Sequence, residues 1–152
     1  MTAGLGAAGL SLAGEAFAAT EIFPVKVDST LFKDINRAKN PAKETGLEEL
    51  HVPVIKAPSK VTAGEPFMVE ISVGEKPHPM MQAHYIEFIE LNIGNEPAGV
   101  ANLNSMGYVR PKVSFSIVLT KESAPGGKAT LVAHERCNIH GYWEGTKDIE
   151  VV

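Results

Sequence analysis

The stretch "PFMVEISVG", residues 66–74, decides how this chain folds. Phe67, Val69, Ile71 and Val73 recur at every second position, with Met68, Glu70 and Ser72 between them. A period of two places the first set on one face of an extended strand and the second set on the other. Residues 112–120, "KVSFSIVLT", repeat the pattern more cleanly, with Val113, Phe115, Ile117 and Leu119 inward. "KATLVAHERC" (128–137) alternates more loosely, and "TKDIEVV" (146–152) closes the chain with Ile149 and Val151 on one side. "HYIEFIELNIG" (84–94) is strand-like too, but its apolar phase slips after Phe88, which predicts a bulge or burial on both faces.

Between these runs lie turn signals rich in Gly and Pro: "TAGEP" (62–66), "GEKPHP" (74–79), "GNEPAG" (94–99) and "ESAPGG" (122–127). Short alternating strands at that spacing, with no long amphipathic helix, predict an all-β fold. The expected architecture is an immunoglobulin-like β-sandwich of about seven strands.

The length of 152 residues suits one domain with a core of its own. Lys and Arg number 14 against 18 Asp and Glu, a formal charge of −4, and no basic run exists. Nucleic acid and anionic membrane are therefore excluded as expected partners. A single cysteine, Cys137, rules out an internal disulfide and any four-cysteine metal centre within one chain.

Residues 1–18, "MTAGLGAAGLSLAGEAFA", are small and apolar and end on Ala16-Phe17-Ala18, an A-x-A cleavage pattern. They read as the remnant of an export signal, which predicts a periplasmic protein. The segment lacks the basic start of such signals, so either the reading frame begins upstream or the segment is a flexible tail. It is too short and Gly-rich for a membrane span. Residues 19–47 form an N-terminal extension, with "FKDINRAKNPAKETG" polar enough for turns and a short helix. Residues 48–152 make the sandwich domain.

The chemistry-bearing residues are five histidines and the cysteine. His51 opens the strand-like run "HVPVI", and His78 and His84 flank the loop "PMMQA". Cys137 and His140 lie in "CNIHGYWEG", where the penultimate strand ends in a turn. Loops of a sandwich gather at its two ends, so ligands distant in sequence converge there. Imidazoles with one thiolate suit a borderline or soft first-row metal and not Mg²⁺ or Ca²⁺. His134 falls inside a strand and is expected to be structural. Taken singly, each histidine is an ordinary surface or core residue and C-x-x-H is a weak signal; the case rests on the set.

The stretches "EELHVPVI" (48–55), "GEKPHPMMQAHYIEFIEL" (74–91) and "CNIHGYWE" (137–144) resemble the superoxide reductases, the family of the neelaredoxins and of the iron domain of desulfoferrodoxins. The resemblance runs from about Glu48 to the C-terminus. It implies one iron, cycling between Fe²⁺ and Fe³⁺, with equatorial His51, His78, His84 and His140 and axial Cys137. It also implies that the site reduces superoxide to hydrogen peroxide, that an external redox protein returns the electron, and that the chain forms a homo-oligomer. Since only one Cys exists, the resemblance is to the one-iron class. Backbone amides around Ile139 and Gly141 are expected to donate to the sulfur.

Two positions depart from the family pattern. Where members read Glu-Lys-His, this chain has Glu49-Leu50-His51, keeping the catalytic Glu49 and losing the Lys that attracts superoxide. The usual Asn after His-Pro is Met80. Lys76 is either a replacement for the missing charge or an ordinary exposed loop residue. Three other readings stand beside the reductase. One is an iron-binding redox or sensor protein without fast turnover. Another is a cupredoxin-type electron carrier, disfavoured because no Met follows His140. The last is a metal-free sandwich.

Overall fold

The computed structural model describes residues 27–152, so the expected export segment lies outside the described residues. Eight strands occur among them: β1 (Pro53–Lys56), β2 (Lys60–Val61), β3 (Pro66–Val73), β4 (Ile86–Ile93), β5 (Glu96–Asn102), β6 (Lys112–Val118), β7 (Lys128–Cys137) and β8 (Gly141–Val151). They form two sheets, β1-β3-β6 and β2-β8-β7-β4-β5. Every pairing is antiparallel except that of β2 with β8. This is the two-sheet, all-β architecture that the alternation predicts. The strand beyond the expected seven is β2, whose two residues are too few to show a period.

Alternation decides what is inside. Val69, Ile71 and Val73 of β3 face Ile89 and Leu91 of β4 and Leu131 and Ala133 of β7, all at most 2% exposed. Burying side chains of this size contributes roughly 1.5–3 kcal/mol each. The phase slip in "HYIEFIELNIG" is real. β4 changes register against β7 between Ile86 and Phe88, and against β5 between Leu91 and Asn92. On β6, Val113, Phe115 and Ile117 point inward as expected but stay only half-buried, because β6 is the edge of the smaller sheet.

One element differs from expectation. His51 does not open a strand; it ends a single helical turn, α1 (Glu48–His51), and β1 starts two residues later. Four residues are too few for helical periodicity, and Pro53 holds Val52 extended (φ −58°, ψ 121°), which stops the turn.

The segment before α1 packs on β8. Asn36 forms a parallel bridge with Trp143, its amide donating to Tyr142 O and its carbonyl accepting from Glu144 N. The Asn36 side-chain amide also donates to Leu31 O and Tyr142 O. Arg37 makes a two-pronged ion pair with Glu144. Glu48 closes the 39–48 loop, its carboxylate accepting from the amides of Lys39 and Thr45. No helix among the described residues is long and apolar enough to cross a membrane.

Candidate metal centre

The donor atoms of His51, His78, His84, Cys137 and His140 all lie within 4.8 Å of one another. Four separate segments supply them. His51 comes from α1, ahead of β1, and His78 follows β3, both beside the smaller sheet. His84 leads into β4, while Cys137 ends β7 and His140 sits in the turn to β8, all in the larger sheet. His134, on the opposite face of β7 from Cys137, is outside the group, as its strand position predicts. Each of its ring nitrogens lies 2.9 Å from a carboxylate oxygen, Nδ1 with Glu90 and Nε2 with Glu144.

Two carbonyls fix how the rings point. His51 Nδ1 donates to Leu47 O at 2.8 Å, one turn back in the chain. His78 Nδ1 donates to Pro79 O at 2.6 Å. A carbonyl only accepts, so each neutral imidazole has its proton on Nδ1 and a lone pair on Nε2. Those two Nε2 atoms face each other 3.1 Å apart, and His51 Nε2 is 3.0 Å from His140 Nδ1. Protonation does not resolve the contact. Burial, reinforced by the neighbouring rings, lowers His51 to about 4 and His78 to about 3. His84 falls to about 4 through burial and His140, and its buried Nε2 has no hydrogen-bond partner. The Nε2 lone pairs of His51 and His78 thus converge with no proton between them, which fits a cation with imidazole ligands.

Cys137 is fully buried at the base of the group, its sulfur 3.6 Å from His140 Nδ1. Burial pushes the thiol up to about 12, against the pull of backbone N–H bonds from Ile139 and His140. The amides expected near the sulfur are therefore those of Ile139 and His140. A bound metal ion deprotonates such a thiol outright.

Trp143 and Glu135 were not legible in the sequence as parts of the site, and Met80 was legible only as a departure from the family pattern. Trp143 stacks on His51 with ring centroids 5.2 Å apart and 23° between planes, and its Nε1 donates to His140 O. Met80, which stands where the family pattern has Asn, is buried, and its sulfur accepts from Ile86 N at 3.4 Å. Glu135 lies on the Cys137 face of β7, fully buried, with neither carboxylate oxygen hydrogen-bonded. Burial, with Glu87 adding to it, holds its carboxyl well above the usual carboxylate range. A strand face reading Leu-x-Ala-x-Glu-x-Cys was the available signal.

Glu49 and Lys76 meet at the edge of the site. The Lys76 ammonium pairs with the Glu49 carboxylate, and the Lys76 amide donates to Glu49 O at 3.0 Å. Between them Gly74 (φ +73°) presses on α1 so closely that a Cβ there would lie 2.6 Å from Leu50 O. Leu50 itself is half-buried and carries no charge.

The Desulfoferrodoxin family model matches residues 43–146, which include all five donors. A candidate superoxide reductase of Methanocaldococcus jannaschii is 36% identical over 120 residues, spanning 79% of this chain and 97% of that one. The neelaredoxin of Megalodesulfovibrio gigas is 30% identical over 119 residues, covering 66% and 87%. Among solved structures, a variant of the Ignicoccus hospitalis superoxide reductase (neelaredoxin) aligns with a TM-score of 0.63 at 35% identity, over 78% of this chain and 94% of that one. With the sandwich, the donor set and two-thirds of the sequence all in agreement, the chain belongs to the desulfoferrodoxin family.

Proposed function

We propose that this chain is a superoxide reductase that holds one iron through His51, His78, His84, His140 and Cys137. The observation that carries the reading is the convergence of four imidazoles and one thiol within 4.8 Å. Family membership supports it. Bound there, iron supplies the one-electron couple that takes superoxide, with two protons, to hydrogen peroxide.

The chain's own residues prepare that chemistry. Leu47 O and Pro79 O hold the rings of His51 and His78 in the tautomer that offers Nε2. The amides of Ile139 and His140 bond the Cys137 sulfur, which keeps it in place and draws off part of its charge. Trp143 covers one face of His51 and keeps water from it. Lys76 offers a cation to the incoming anion, and Glu49 holds that cation at the rim.

Elemental analysis and pulse radiolysis test the reading. One iron per chain is expected, together with hydrogen peroxide formed at one per superoxide consumed and no release of O₂. Cys137→Ser keeps the fold and loses the visible band of the oxidised protein, whereas His134→Ala keeps both band and iron. Copper in place of iron sinks the reductase reading. The uncharged Leu50 favours the second reading, an iron protein without fast turnover, which iron without superoxide consumption would establish.

Three companion proposals rest on the sequence. Export is tested by a mature N-terminus at Ala19. A separate one-electron donor protein restores the reduced iron. A homo-oligomer is tested by sedimentation.

A further inference from the structure

Each superoxide reduced removes one electron from the chain, and the donor cluster accounts for one metal ion. The electron must therefore arrive from outside, one at a time, at a surface in contact with the ligand rings. Trp143 marks such a surface. Its indole stacks on His51, and its Nε1 reaches the backbone of His140. Trp143, itself buried, is one of the residues lining a cleft of about 500 Å³ between β8 and the 31–48 segment, together with Arg37, Lys39, Lys43, Leu47 and Glu48.

The charge around this cleft runs against that of the whole molecule. The cleft's charged lining residues are Arg37, Lys39 and Lys43 against Glu48, a basic balance in a chain of net −4. Arg37 is neutralised by Glu144. Lys39 and Lys43 are exposed, and among the described residues neither is ion-paired. The cleft is rigid where it matters, because Glu48 ties the Lys39 and Thr45 amides together and Leu47 O orients His51.

We infer that this basic cleft over Trp143 is where an acidic one-electron carrier protein docks and passes its electron to the metal centre. The inference rests on the reductase reading for its need of an electron. In the step, the carrier is oxidised by one electron and the centre is reduced by one; no bond forms or breaks. The cleft reaches α1 through Leu47 and Glu48, next to Glu49 of the rim, but the exposed bases Lys39 and Lys43 lie on the preceding loop and not on the Glu49–Lys76 pair.

The probe is an acidic plant-type [2Fe–2S] ferredoxin with the full-length iron-loaded protein at low salt. Titration calorimetry with oxidised ferredoxin reads binding, and stopped-flow bleaching of the oxidised centre by reduced ferredoxin reads transfer. Lys39→Glu and Lys43→Glu are each expected to weaken binding and slow transfer by about tenfold, an effect that high salt erases. Lys128→Glu, the same charge change at the start of β7, is expected to leave both near wild type. Equal losses from all three variants would reduce the effect to net charge and overturn the site. Weaker binding with unchanged transfer would overturn its role as an electron port. Neither variant in the cleft should alter the rate with superoxide. If wild type itself ignores superoxide, the reductase reading fails while the docking measurements still stand or fall alone.

Discussion

At the scale of single residues, the site is set by where protons already are. Burial lowers His51, His78 and His84 to about 3–4, so they are neutral at pH 7, while the Cys137 thiol, pushed up to about 12, is still protonated. Loading the reduced metal-free protein with Fe²⁺ at pH 7 should therefore release one proton per chain, from Cys137. Calorimetry in buffers of different ionisation enthalpy measures this; release of two or more protons would contradict the neutral histidines. Glu135 gives a second expectation. A carboxyl raised in the folded state keeps its proton after the unfolded chain has lost its own, so stability falls as pH rises from about 4.5 toward the folded value. Glu135→Gln removes the liability. Its urea midpoint should exceed wild type at pH 7, and the difference should shrink at pH 4. These residues also show what the sequence conceals. The five donors were legible only as a set, and their assignment came through the resemblance of their stretches to the superoxide reductases, since each taken singly is an ordinary residue. The carbonyls of Leu47 and Pro79 that orient two of them were not legible, because every residue has a carbonyl.

At the scale of elements, the strands were legible wherever one face is buried and the other is wet. β3, β6 and the end of β8 follow directly from period two, and even the slip in β4 announced its bulges. What did not show is α1, since one helical turn has no periodicity to read. Nor did the sequence show how α1 is held, which depends on the close approach of Gly74 to the carbonyls of Glu49 and Leu50. Gly74 and Gly94 test that contact. Both have positive φ, +73° and +57°, but a Cβ on Gly94 meets open space. Gly94→Ala should cost about 1 kcal/mol, the backbone penalty alone. Gly74→Ala should cost that plus roughly 1–3 kcal/mol of overpacking, and only Gly74→Ala should lower iron content, because it displaces α1 and His51. Denaturant titrations and metal analysis of both variants decide it; equal costs would show that Gly74 does not position the helix.

At the scale of the whole molecule, capture of an anion by a chain of net −4 depends on local cations. The nearest one identified, Lys76, is half-cancelled by Glu49. Wild type should thus react with superoxide with a shallow dependence on ionic strength. Leu50→Lys adds an unpaired charge on the His51 turn and should raise the second-order rate by about tenfold at low salt, with a steeper fall as salt is added. Lys76→Ala, which leaves the Glu49 carboxylate alone, should lower it. Pulse radiolysis across a salt series reads both, and no change in either variant would remove Lys76 and the rim from substrate capture. The donor set reaches further than catalysis, because its members come from segments beside both sheets. A cation there rewards the assembled sandwich and not the unfolded chain, adding about 2.7 kcal/mol when free metal stands at a hundred times its dissociation constant. Proteases that destroy opened chains would then spare the loaded protein and clear the unloaded one, so that cellular abundance follows iron supply with no transcription factor involved.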